Sequence, residues 1–315
     1  MFAYYWIDEL SKRETGRLNP ESSARNESLS PQNILDIQNR KLWTKIEPRN
    51  QSILKTVHAE AYINEVRFAF EKNRRFIDSG DTVVTPQIYP LSLLAASAGV
   101  NAIESMKQGQ IKRAFCAIRP PGHHANQLRA LGFCVFNNAA VAARFAQTHL
   151  GLERILIIDW DVHPGNGTEE VFWEDPSVFT LSIHEEGIFS QAGGENRIGK
   201  GAGEGFCRNV NVCPKTSNES YMDIFKNAVD EVVESFRPEL IIISAGFDAH
   251  RRDRVSRLKL EDETFALMTK YVLDASTLSA KGRVLSFLEG GYDLLALKSS
   301  VKAHVDELIK FKDTI

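Results

Sequence analysis

Residues 154–172 read RILIIDWDVHPGNGTEEVF. The β-branched and leucine run at its start predicts a buried strand. That strand ends in Asp159, Asp161 and His163 at alternating positions. Side chains alternate faces along a strand, so these three share one face. Two carboxylates crowded into a dry place repel one another, and their desolvation is costly unless a cation sits among them. The plain alternative is that the aspartates cap a turn and His163 is a satisfied core histidine.

Working outward, the same kind of run recurs. RAFCAI (113–118), SVFTLSI (177–183), ELIIISAG (239–246) and RVLSFLEGG (283–291) are apolar on both faces. Between most of them lie helical segments. The clearest is 220–236, where Tyr221, Ile224, Phe225, Ala228, Val229, Val232, Val233 and Phe236 recur at helical spacing before Pro238. Weaker versions cover 91–106, 137–150 and 262–280. Strands without in–out alternation, separated by helices, predict an α/β fold with an open, doubly wound, mainly parallel sheet covered by helices on both faces. No linker or repeat interrupts it, so residues 1–315 are expected to form one domain. Residues 11–52 are polar, and 1–57 are expected to be an irregular N-terminal region carrying the pocket's entrance loop.

The 315 residues are 43% hydrophobic and 25% charged, with a formal net charge of -3. That balance gives no electrostatic case for nucleic acid as a partner. The aromatic start MFAYYWIDELSKRE lacks the basic and apolar regions of a secretion signal. No apolar segment approaches the roughly 20 residues that cross a bilayer, so no membrane partner is expected. The four cysteines, Cys116, Cys134, Cys207 and Cys213, form no close-spaced pairs and read as reduced. A cytoplasmic protein is the expectation.

In open parallel sheets, ligands bind beyond the carboxyl ends of the strands. Four such ends carry unusual chemistry here: RPPGHH (119–124), DWDVH (159–163), SAGFDAH (244–250) and LEGGYD (288–293). Asp161, His163 and Asp248 offer two oxygens and one nitrogen to a divalent metal. Three protein ligands leave positions open for water and substrate, as in catalytic zinc sites. The oxygen-rich set also admits iron(II), cobalt or manganese. His123 and His124 follow Pro-Pro-Gly, a bend that lets adjacent histidines face one site. Neutral imidazole is a fit base near pH 7 and its charged form a fit acid. Tyr292 follows two glycines, and its phenol could donate to a developing oxyanion. A structural histidine pair and a packed tyrosine are the alternatives.

In this order, the four motifs, with GFCVFNNAAVAA (132–143) and IISAGFDAHRRD (242–253), resemble the histone deacetylase family. The likeness is to its class II branch and to the bacterial histone deacetylase-like amidohydrolases, and runs from about His58 to the C-terminus. The resemblance implies an arginase–deacetylase fold and a zinc-dependent amidohydrolase acting on acetyl-lysine or acetylated amines. It implies that Asp161, His163 and Asp248 hold Zn2+, or Fe2+ or Co2+ in its place. It makes His123 and His124 the acid–base pair and Tyr292 the phenol that polarises the carbonyl. Phe133 and Phe189 resemble the walls of the acyl-lysine tunnel. Asp159 and Asn166 resemble the supports behind the histidine pair. A structural K+ is implied at Asp159, Ser182 and the backbone carbonyls of Asp161, His163 and Ile183.

The chain also departs from the pattern. Asn166 stands where some branches place a second carboxylate, so His123 and His124 should differ in basicity. Pro164 replaces a histidine that commonly follows the ligand histidine. Asn19 replaces a histidine of the entrance loop. Val255 occupies the place of an acidic gatekeeper in the polyamine-selective branch, which favours an acyl-lysine protein or peptide over an acetylpolyamine. HRRDRVSR (250–257) reads as a solvated loop, or as a contact for an acidic partner or a second subunit in a homo-oligomer. His58, His149, His184 and His304 read as structural or surface residues. A non-catalytic metal-binding interaction module has no use for two histidines and Tyr292 beside the metal.

Overall fold

Backbone runs that are apolar on both sides must be covered on both sides, and the chain solves this with one eight-stranded sheet. The computed structural model describes residues 1–16, 18–189 and 192–312. The strands are β1 (Phe2–Tyr5), β2 (Trp43–Thr44), β3 (Arg113–Cys116), β4 (Ile155–Asp159), β5 (Val178–Glu185), β6 (Cys207–Val212), β7 (Leu240–Ala245) and β8 (Val284–Leu288). All pairings are parallel, in the order β2-β1-β3-β8-β7-β4-β5-β6. The sheet is therefore wholly parallel.

Nine α-helices are described: α1 (Ser23–Ser28), α2 (Pro31–Ile34), α3 (Glu60–Phe68), α4 (Ile88–Lys107), α5 (Asn138–Leu150), α6 (Asn166–Val171), α7 (Asn218–Phe236), α8 (Asp262–Ser279) and α9 (Leu294–Lys310). Strand residues divide between two cores by parity. Ile155 and Ile157 pack with α4 and α5, whereas Leu156 and Ile158 pack with α7, α8 and α9. Each fully buried aliphatic side chain contributes about 1.5–3 kcal/mol. Helix α7 starts where Ser217 Oγ accepts the Ser220 amide and ends at Arg237, whose φ of 51° cannot continue it. Asp293 caps α9 by accepting the Ala296 amide (2.9 Å) and so fixes Tyr292 at that helix's entrance. None of the described helices is long and apolar enough to cross a membrane.

The N-terminal region differs from the irregular structure expected over 1–57. Phe2, Tyr4 and Trp6 enter one core, and Ala3, Tyr5 and Ile7 the other. FAYY within MFAYYWI is thus a two-faced strand, β1, between β2 and β3. Judged only as a targeting signal, its aromatic run conceals that role. Behind it Glu21 is buried among three buried arginines. Arg119 Nε lies 2.7 Å from Glu21 Oε1, Arg13 pairs with Oε2, and Arg25 Nη1 lies 3.7 Å away.

Candidate active site

Asp159 is the last residue of β4, and the chain bends over residues 161–163. Trp160 and Val162 turn into the core beneath α7–α9, with the Trp160 ring 6.0 Å from Phe225 and 5.6 Å from His304. Asp159, Asp161 and His163 turn the other way, and the bend is held by Asp161 N donating to Asp159 Oδ1 (3.0 Å) and His163 N to Asp161 Oδ1 (2.9 Å). Asp248 arrives from the loop after β7. His163 Nδ1 lies 3.0 Å from Asp161 Oδ1 and 3.2 Å from Asp248 Oδ2. One ligand atom from each of the three lies within 4.8 Å of the others. Backbone amides hold the carboxylates: Gly290 N donates to Asp161 Oδ2 (2.7 Å) and Val162 N to Asp248 Oδ1 (3.0 Å). A Cβ on Gly290 would lie 2.2 Å from Asp248 Oδ2 and 2.5 Å from Asp161 Oδ2. One on Gly246 would lie 2.2 Å from Asp161 Oδ2, so both glycines are required by close approach.

The electrostatics of this trio call for a cation. Burial opposes a charge on His163, but hydrogen bonds to Asp161 and Asp248 outweigh it and raise its pKa to about 11. Burial also opposes ionisation of Asp161, yet His123 and His163 hold its carboxyl well below the usual range. Burial, followed by the Asp161 charge, lifts Asp248 to about 6. Asp248 Oδ2 is buried and has the His163 ring, 3.2 Å away, as its polar neighbour. Two dry carboxylates converging on one imidazole make a donor set that fits a divalent metal.

The β3 end supplies the histidine pair. Gly122 N and His123 N both donate to Glu289 Oε2, at 2.7 and 3.1 Å, which pins the bend. The two rings lie 3.9 Å apart, but their supports differ. His123 Nδ1 is 2.9 Å from Asp159 Oδ2. Burial disfavours its charged form, and Asp159 and then Asp161 reverse that, lifting it to about 10. His124 Nδ1 is 2.7 Å from the neutral amide oxygen of Asn166, the first residue of α6. Burial and the neighbouring His123 charge hold His124 well below the ordinary histidine value. His123 thus faces a carboxylate and His124 a neutral amide, whose bond opposes the fall of His124 only in part.

Tyr292 is half-buried, with Arg25 over its ring at 5.1 Å. Burial and then Asp248 push its hydroxyl well above the ordinary phenol value, so it keeps its proton to donate. Its ring meets Phe133 edge-on at 5.9 Å, and Phe189 stacks on His124 at 5.0 Å. Two apolar rings therefore flank His124 and Tyr292. Val255 is half-buried and packs on the core beneath α7–α9. Asp159 lies in register with Ser182, and Glu185 N donates to Val162 O (3.0 Å), so segments 159–163 and 182–185 run side by side. Ser182 Oγ accepts from Gly165 N (3.2 Å), and the Ile183 side chain lies in the core.

The remaining histidines have ordinary partners. His58 meets Asn126 O and Asn137 N, His184 meets Ser182 and Gly193 O, and His304 meets Thr269 and Ser286. His149 is exposed and stacks on Phe145. In the arginine-rich loop, Arg251, Arg252 and Arg257 pair with Glu261, Asp293 and Glu185 of the same chain. Sequence reasoning passed over Glu289 and Asp253, although both lie in quoted motifs. Asp253 Oδ2 accepts from Tyr292 N (2.6 Å) and joins two of the four loops. It also passed over Arg25, whose guanidinium donates to Gly291 O (2.7 Å) and Glu289 O. Arg25 closes NPESSAR (19–25), the entrance-loop stretch that begins at Asn19.

Known proteins resemble this chain. The histone deacetylase domain model matches residues 19–308. Histone deacetylase 14 of Arabidopsis thaliana, named chloroplastic, is 37% identical over 85% of this chain and 64% of its own length. The histone deacetylase 10 of Oryza sativa subsp. japonica, also named chloroplastic, is 36% identical over 85% of this chain and 61% of its own. The chain thus spans under two thirds of these plant relatives. The histone deacetylase-like amidohydrolase of Pseudomonas aeruginosa is 32% identical over 92% of this chain and 76% of its length. The crystal structure of the HDA15 HD domain superposes with a TM-score of 0.90 at 30% identity, over 98% of this chain and 91% of that one. With the domain model spanning nearly all of it, and a parallel sheet that gathers the same four strand ends, this chain belongs to the histone deacetylase family.

Proposed function

We propose that this chain is a metal-dependent amidohydrolase that removes acetyl groups from lysine side chains of proteins or peptides. The observation that carries the reading is the convergence of Asp161, His163 and Asp248 beside the His123–His124 pair and Tyr292. Asp161, His163 and Asp248 would hold the divalent ion, which we assign as Zn2+. When bound, such an ion supplies Lewis acidity to an amide carbonyl and to water.

The chain's own residues do the rest. Asn166 Oδ1 accepts the Nδ1 proton of His124, which leaves the Nε2 lone pair free. His124 Nε2 takes the proton of the attacking water. His123, charged against Asp159, stabilises the negative charge that develops beside it. The Tyr292 hydroxyl donates to the oxyanion. The histidine pair returns a proton to the departing lysine amine, and acetate is left. Phe133 and Phe189 exclude water around the lysine stem. Asp159 supports His123 and, with Ser182 and the carbonyls of Asp161, His163 and Ile183, forms the proposed K+ site. One domain and a reducing, cytoplasmic setting complete the reading. The four cysteines are unpaired, which fits that setting.

The test is acetate release from an acetyl-lysine peptide and from an N-acetylated polyamine, with Zn2+ and with a chelator. Chelator-sensitive turnover of the peptide is the expected result. A clear preference for the polyamine would overturn the substrate class and the reading of Val255. Absence of turnover on either, with metal bound, would sink the activity.

A further inference from the structure

A second group of metal-ligating side chains lies directly behind the first. His123, Cys134 and Glu289 are all buried, and one ligand atom from each lies within 4.8 Å of the other two. They come from three separate places: the bend after β3, the loop bearing Phe133, and the end of β8. His123 commits Nδ1 to Asp159 and presents Nε2, which carries the proton of the charged ring. Glu289 commits Oε2 to Gly122 N and His123 N, while Oε1 is buried and makes no hydrogen bond. Cys134 is a free thiol fixed in a tight turn, its backbone bonded both ways to Leu131.

We propose that His123, Cys134 and Glu289 form a second, inhibitory site for a thiophilic divalent cation such as Zn2+. An imidazole, a thiolate and a carboxylate are all zinc ligands, and three of them leave one position open. The unpartnered oxygen of a fully buried glutamate is the independent sign of a missing partner. On binding, Cys134 and His123 Nε2 each release a proton to solvent as the metal–sulfur and metal–nitrogen bonds form, and Glu289 binds as carboxylate. The effect on turnover rests on the function proposed above. His123 Nε2 cannot ligate this ion and also exchange protons with substrate, so a second equivalent of zinc silences the enzyme.

The test is a Co2+ titration of the metal-free full chain, followed by absorbance. Asp161, His163 and Asp248 contain no sulfur, so a near-ultraviolet thiolate-to-cobalt band reports only on the second site. The band is expected to grow with the second equivalent, to vanish in Cys134→Ser and Cys134→Ala, and to need at least tenfold more Co2+ in Glu289→Gln. It should survive in Asp161→Asn, which cripples the first site. Turnover of the one-zinc wild type is expected to fall at least tenfold on adding the second equivalent. Its midpoint should move at least tenfold higher in Cys134→Ser. Saturation at one equivalent with no such band, or a band that persists without Cys134, would overturn the proposal. A band in a protein that hydrolyses no acetylated substrate would retain the site and reject the activity.

Discussion

His124 Nδ1 lies 2.7 Å from Asn166 Oδ1, whereas its neighbour His123 makes the equivalent bond, 2.9 Å, to the carboxylate of Asp159. An amide fixes the tautomer of His124 without favouring its charge. Asn166→Asp would place a carboxylate there and raise the pKa of His124 by roughly 1–3 units. The acidic limb of the kcat/KM profile should move to higher pH by a similar amount, with lost activity near neutrality. A superimposable profile would remove His124 from the role of base.

Tyr292 is positioned by the Asp293 cap on one side and Asp253 on the other. Tyr292→Phe keeps these backbone bonds and deletes one oxyanion donor. We expect kcat to fall about 10²–10³-fold, with KM little changed. Near-normal kcat in steady-state kinetics would refute the assignment.

Gly290→Ala tests the packing of the metal ligands. The new Cβ would press on both Asp248 and Asp161. Metal affinity should drop on the order of 10–100-fold, the effect usual for disturbing a ligand's support. Metal content after dialysis that leaves the wild type loaded measures this. Full retention would show that the carboxylates can move freely.

Glu21 is the one acidic partner shared by buried Arg13, Arg25 and Arg119. Glu21→Gln would leave those cations short of a counter-charge and cost about 3–5 kcal/mol. Glu60→Gln, which breaks the exposed pair with Lys55, should cost about 0–1 kcal/mol. Denaturant melts of the two variants should differ widely. Equal midpoints would contradict the buried-network account.

His304 is held neutral between two hydroxyls. Thr269 Oγ1 donates to Phe265 O (2.6 Å), so it accepts from His304 Nδ1, and Ser286 supplies the proton to Nε2 (2.9 Å). Burial lowers its pKa to about 3. Against an unfolded value of about 6.5, the unfolded chain binds the proton first as pH falls. The stability is therefore fully present above about 6.5 and lost as pH drops towards 3. His304→Gln should flatten the loss between pH 7 and 5 relative to wild type. An unchanged slope in melts at the two pH values would sink this reading.

Much of the fold was legible because the strands follow from local pattern. RILIID and ELIIISAG announce two-faced strands by themselves, and the i, i+2, i+4 spacing of Asp159, Asp161 and His163 predicts their common face. What stayed hidden depends on partners far along the chain. Arg25 and Glu289 are 264 residues apart in sequence, and their bond is invisible to any periodicity. β1 was missed because a four-residue strand looks like an aromatic flourish until β3 lies beside it. β6, CRNVNV, was missed because its half-exposed edge carries polar residues.

The last strand to be synthesised occupies the middle of the sheet. β8 lies between β3 and β7, and its trailing loop carries Glu289, Gly290 and Tyr292. A ribosome-bound chain can assemble β4 to β7, but the gap beside β7 stays open until β8 has emerged. Pairing of this kind is distant in sequence and so slow to form. The nascent polypeptide thus exposes an unpaired central edge, a template for wrong partners, until then. Asp161, His163 and Asp248 can meet once β4 and β7 pair, but Glu289 and Tyr292 join them only when that wedge is driven home.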